Sequence, residues 1–141
     1  MIVLDANVLI ALFDSSDANH VRAEQLLDDH ADEPMALSSL TLAEFLIRPT
    51  AAGRATQAQT FIGNMGIVVS PVLSDDAAHL ARVRAETGLK MPDAVVLWLA
   101  ISSHGAVMTF DDHLGQVAQG LGVEVVGAST DPATFAPLRK G

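Results

Sequence analysis

Short apolar runs alternate with longer amphipathic stretches along this chain. The runs fall at residues 2–4, 35–37, 67–69, 107–109 and 124–126. Each is brief and continuous rather than alternating, which predicts strands covered on both faces. The stretches between them carry helix punctuation. Ser16 or Asp17 opens a helix reaching about His30, with Val21, Leu26 and Leu27 on its apolar side. A short helix at 41–47 stops before Pro49, and another at 51–65 is weakened by Gly53 and Gly63. Ser74 caps a helix at 75–87, for which Gly88 is the C-terminal stop. Pro92 opens the most hydrophobic helix, which runs to Ser103 with Gly105 after it. Strands alternating with helices predict an α/β fold, a three-layer α/β/α arrangement with a mainly parallel five-stranded sheet. No repeat, low-complexity tract or linker interrupts the 141 residues, so one domain over 1–141 is expected.

Against this pattern, one residue in the opening MIVLDANVLI stands out. Asp5 ends the first apolar run, with Asn7 two positions on. Ligand sites in open parallel sheets form beyond the carboxyl ends of the strands, so Asp5 has the address of a site residue. Asp111, two residues past the fourth run, has the same address. Glu44 lies in the first turns of the helix after the second strand, among apolar neighbours where a lone carboxylate is costly. Asp93 sits in the first turn of the most hydrophobic helix. Each has an ordinary explanation: Asp5 or Asp111 as an N-cap, Asp93 against a helix dipole, Glu44 paired with an arginine. All four can nevertheless converge on one sheet edge. There they would repel one another, so either their pKa values rise or a divalent cation lies among them.

Composition narrows the chemistry. With no cysteine there is no disulfide framework, thiolate zinc site or cysteine nucleophile. The five histidines form no HxH or HxxxH pair, so zinc is unsupported and each reads as a surface or capping residue. Oxygen-only donors select Mg²⁺ or Mn²⁺, and a carboxylate-held metal pair suits phosphodiester cleavage. Seventeen acidic residues against eight basic ones give a net charge of -9. That argues against binding nucleic acid chiefly by overall field but leaves binding through bound metal open, and it suits a basic protein partner. No stretch approaches the roughly 20 apolar residues of a membrane span, and no basic region precedes the first apolar run. A cytoplasmic protein is the expectation.

These residues resemble the PIN domain. The resemblance is carried by Asp5-Ala-Asn7 after an initial strand, Glu44 within Thr41-Leu-Ala-Glu44-Phe, Pro92-Asp93-Ala94, and Thr109-Phe-Asp111. More narrowly, Glu44-Phe-Leu-Ile-Arg48-Pro49 followed by Ala51-Ala-Gly-Arg54 is similar to VapC-type toxins of bacterial toxin–antitoxin pairs. The resemblance implies a Mg²⁺- or Mn²⁺-dependent endoribonuclease, a homodimer, held in check by a cognate antitoxin whose C-terminal segment covers the site. It implies metal-site roles for Asp5, Glu44, Asp93 and Asp111, with Thr109 and Asn7 supporting them. Asp112 reads as the cap of the next helix. Arg48, Arg54 and Lys90 are the candidate RNA contacts, Lys90 foremost because it lies just ahead of Asp93.

Three other readings fit parts of the chain. A haloacid-dehalogenase-like phosphatase would use Asp5 as nucleophile, but its second acid at i+2 is Asn7 here, and Glu44 and Asp93 would have no task. A PIN-like fold without catalysis would serve as an interaction module. DNA is a further substrate, since nothing in the sequence reads a 2′-hydroxyl.

Overall fold

The computed structural model describes residues 1–129. Five strands, β1 (Ile2–Leu4), β2 (Met35–Ser38), β3 (Val68–Ser70), β4 (Ala106–Met108) and β5 (Val125–Val126), form one sheet in the order β3-β2-β1-β4-β5. Every pairing is parallel. Seven helices connect them: α1 (Ala6–Phe13), α2 (His20–Asp29), α3 (Ser39–Ala51), α4 (Ala55–Asn64), α5 (Ala77–Thr87), α6 (Met91–Ser103) and α7 (Asp112–Gly120).

The period-2 geometry of the central strands divides the core. Ile2 and Leu4 of β1, with Ala106 and Met108 of β4, join Val8, Leu9, Leu37 and Phe45 on one side. Val3 and Val107 point the other way, into a cluster with Leu97, Trp98 and Leu114. Helices α1, α3 and α4 contribute to the first cluster, α5, α6 and α7 to the second, which makes the three-layer arrangement. The chain builds outward from β1 through β2 to β3, then returns to the other side of β1 with β4. The sheet's topological switch therefore lies between β1 and β4.

Several local expectations are corrected. The edge strand β3 is not covered on both faces: Val68 is 56% exposed and Val69 38%. Pro49 does not stop the third helix, which runs on to Ala51 with Pro49 inside it. A proline removes its own amide donor and crowds the carbonyl four residues back, costs that are smallest here because it falls in the last turn, with its ring buried. The stop comes instead from Gly53 at φ 71°, so the next helix starts at Ala55 rather than 51. Neither Ser16 nor Asp17 caps α2. The Asp17 carboxylate accepts from the Asn19 amide at 2.8 Å, a local turn that delays the helix to His20. Ser74 opens a short 3₁₀ turn, and the helix after it starts at Ala77 with Asp76, not Ser74, in the N-cap position. Gly88 ends α5 in the left-handed region as expected. After α6, His104 takes the left-handed position at φ 54°. Gly105 answers a different need, since a Cβ there would lie 2.8 Å from the Met1 carbonyl oxygen.

Candidate active site

The ladder between β1 and β4 pairs Leu4 with Met108, and the Asp5 amide donates to the Met108 carbonyl at 2.9 Å. This register sets Asp5 beside Thr109 at the switch point. Asp5 occupies the N-cap position of α1 but makes no side-chain cap bond to the following turn. Its Oδ2 accepts instead from Thr109 Oγ1 at 2.7 Å. Thr109 is fully buried and is a hub. Asn7 Oδ1 accepts from the Phe110 amide at 3.2 Å, which turns Asn7 Nδ2 toward Thr109 Oγ1 at 3.3 Å. The Asp111 amide also donates to Thr109 Oγ1, at 3.0 Å. With two donors already aimed at that oxygen, the hydroxyl proton goes to Asp5.

Asp111 caps α7 by accepting from the Leu114 amide at 3.1 Å. The cap is thus Asp111, not Asp112. One residue further into the helix, the Asp112 side chain reaches away and accepts from the Ser129 amide at 2.8 Å. Glu44 lies in the second turn of α3, half-buried, and Asp93 in the first turn of α6, also half-buried. These two helices pack against each other, which brings Glu44 toward Asp93.

Electrostatics show the convergence of the acids. Burial pushes the Asp5 carboxyl up to about 6, opposed by the Thr109 hydrogen bond and reinforced by the charges of Asp93 and Glu44. Glu44 is raised by burial and then by Asp93. Asp93 is raised by burial and then by Asp111, while His113 and Lys90 pull it down. The four carboxylates therefore form one interacting set. They are not closed around a point: among the described residues no three His, Cys, Asp or Glu side chains are arranged to hold an ion. The donor set still fits a hard cation. It is oxygen-only, partly desolvated and mutually repelling, and Mg²⁺ needs only one or two carboxylates, with waters completing its shell.

Of the candidate phosphate contacts, Lys90 stands at the N-cap of α6, exposed and close enough to act on Asp93. Arg48 and Arg54 line a separate cleft beyond Glu44, with Phe13 and Asp14. His113 joins the neighbourhood of the site, a placement that its sequence position alone does not give. It is the exposed surface histidine that the sequence suggests, in the first turn of α7, and from there it also acts on Asp93. Its position two residues after Asp111 was a partial signal, because the first turn of a helix shares its edge with the N-cap.

A profile of the PIN domain matches residues 2–120. Comparison with curated proteins found no match. Among solved structures, a toxin–antitoxin complex from Klebsiella pneumoniae superposes with a TM-score of 0.70 at 24% identity, over 92% of this chain and 97% of that one. VapC20 of Mycobacterium tuberculosis, described as a sarcin–ricin loop cleaving toxin, gives 0.70 at 19% identity, over 90% and 98%. FitAcB of Neisseria gonorrhoeae gives 0.69 at 21% identity, over 89% and 96%. At these identities the structural likeness establishes the fold.

Proposed function

Because the chain belongs to the PIN domain family, we propose that it is a metal-dependent endoribonuclease, the toxin of a toxin–antitoxin pair. The observation that carries this reading is buried Asp5 pinned by Thr109 at the β1–β4 switch, with Asp111 tied to the same hydroxyl through its amide and Glu44 and Asp93 on the packed helices α3 and α6 beside it. RNA is preferred over DNA because VapC20, of the same fold, is described as cleaving the sarcin–ricin loop. A haloacid-dehalogenase-like phosphatase loses its basis with family membership, and it had no task for Glu44 or Asp93.

Asp5, Glu44, Asp93 and Asp111 would hold Mg²⁺ or Mn²⁺. When bound, the ion supplies positive charge to the phosphate and lowers the pKa of water. The chain's own residues prepare the site for it. Thr109 fixes the rotation of the Asp5 carboxylate, and Asn7 fixes Thr109. Asp111 is held by its cap bond to the Leu114 amide. Burial raises Glu44 and Asp93 as well, with the charge of Asp93 adding to the first and that of Asp111 to the second, so a cation among them would relieve the repulsion. Lys90, at the rim, steadies the RNA backbone.

A cognate antitoxin is the regulatory partner, in keeping with the Klebsiella pneumoniae toxin–antitoxin complex of this fold, and the chain's acid excess favours a basic one. A second copy of this chain completes a homodimer. Its surface is the apolar groove beside Glu44, where Leu40, Ile47 and Met91 are 48%, 65% and 44% exposed. No helix among the described residues is long and apolar enough to cross a membrane, and we place the protein in the cytoplasm.

The deciding experiment is cleavage of a mixed cellular RNA pool by antitoxin-free protein in Mg²⁺, Mn²⁺ or EDTA. Discrete fragments that require the metal are expected. Absence of metal-dependent cleavage overturns the nuclease and favours a binding module. Lys90→Ala should weaken RNA affinity and make its log–log salt dependence shallower by about 0.7, the share of one phosphate contact on a single strand. Unchanged affinity and slope would remove Lys90 from the RNA path.

A further inference from the structure

Beyond Glu44, one turn along α3, lies a cleft of about 200 Å³ that the proposed chemistry does not use. Ile10, Phe13, Phe45 and Pro49 form its floor. The floor is stiffened by aromatic packing: Phe13 meets Phe45 edge-on with ring centroids 5.7 Å apart, and Phe61 at 5.4 Å. Arg48 and Arg54 stand at the rim. The turn through Gly53 brings Arg54 back over the cleft, its amide donating to the Pro49 carbonyl at 2.7 Å. The Arg54 guanidinium then sits over the Phe13 ring, 4.7 Å from the centroid.

We infer that this cleft is a nucleotide subsite of the RNA substrate, taking one base and its phosphate next to the scissile bond. The inference rests on the ribonuclease reading above. Charge complementarity argues for it. In a chain of net charge -9, two guanidiniums and one carboxylate, Asp14, meet at this cleft. Among the described residues neither arginine forms an ion pair; the pairs found are His20–Glu24 and His30–Glu33. Asp14 accepts from the Ser16 amide and hydroxyl, which with the charges of Arg48 and Arg54 hold its carboxyl below the ordinary value; one carboxylate against two guanidiniums leaves the cleft net positive. A guanidinium seated over an aromatic ring keeps its outer face for a base, and its N–H fork for a phosphate. The volume falls below the ~300 Å³ where drug-sized pockets begin, and suits one planar ring system. Continuity with the acidic edge supplies the rest, because Glu44 and Arg48 are four apart and share a face of α3.

The test uses the full chain with Asp5→Asn, so that single-stranded RNA is held without being cut. Arg48→Ala and Arg54→Ala are each expected to weaken binding and make the salt slope shallower by about 0.7. Arg54→Lys keeps the slope but loses affinity, because the charge remains and the stacking face does not. Ala52→Phe, which fills the cleft from its exposed side, weakens binding at constant slope. Arg48→Ala does not touch the Phe13 packing, so a fold defect at Arg54 leaves the test intact. With Asp5 restored, the same changes raise KM with kcat kept and alter the fragment pattern. If the unsubstituted protein cuts RNA while all four variants match it in affinity, slope and fragments, the subsite is overturned. It is equally overturned if the variants bind RNA normally but release the antitoxin, for the cleft then belongs to a protein segment. No RNA cleavage by the unsubstituted protein would instead sink the nuclease reading, and this subsite with it.

Discussion

Asp5→Asn is expected to abolish metal-dependent RNA cleavage and, in the same protein without metal, to raise stability at neutral pH. The two effects have one cause. Asp5 is 5% exposed and its carboxyl is pushed up to about 6 by burial, from an ordinary value of 3.8. The folded state therefore binds more protons than the unfolded state between those two pH values, so stability falls as pH rises through the window. Above it the folded protein carries the full penalty, about 3 kcal/mol on the scale of 1.36 kcal/mol per pKa unit. Asparagine has no charge to desolvate and can still accept from Thr109, so most of this penalty is removed. Urea unfolding in EDTA from pH 4 to 8 checks it: the unsubstituted protein loses stability across the window, and Asp5→Asn loses less, keeping only the share of the raised Glu44 and Asp93 carboxyls. Cleavage should fall by more than the roughly 10–100-fold that changes in outer-shell partners cost a metal site. A variant that is both active and no more stable would contradict the assignment of Asp5.

Thr109→Val should damage stability and activity together. Valine has the shape of threonine but cannot donate to Asp5 or accept from Asn7 and the Asp111 amide. A hydrogen bond to a charged group contributes about 1.5–3 kcal/mol, and the stranded Asn7 and Asp111 donors add to that cost. Losing the bond that lowers it, the Asp5 carboxyl rises further, and its rotation is no longer set. Cleavage is expected to fall about 10–100-fold. Thr109→Ser, which keeps the hydroxyl, should stay within a few-fold of the unsubstituted protein. Because Asp5 and Thr109 act through one bond, Thr109→Val should cost less stability in an Asp5→Asn background. Equal costs in the two backgrounds would show that the hydroxyl acts elsewhere.

Much of this was legible in the chain because it is local. The five apolar runs named the five strands to within a residue or two, and Gly88 marked a helix end through its backbone freedom alone. The addresses of Asp5 and Asp111, just past two strands, followed from counting. Where local rules failed, a packed neighbour had overruled them. Pro49 stays within a helix because its ring is buried and only the last turn bears the lost donor. Gly105 is required by the Met1 carbonyl, which is far away in sequence.

The sequence by itself determined which residues can carry charge and roughly where strands and helices begin. It could not determine which partner each side chain would meet. That Thr109 donates to Asp5 across 104 positions depends on the register of β1 against β4. That Arg54 lies over Phe13 depends on the turn at Gly53 folding the end of α3 back on α1. Spacing along a chain sets faces and periods. The distance between two carboxylates, and with it their protonation, is set only when the layers close and water leaves the space between them.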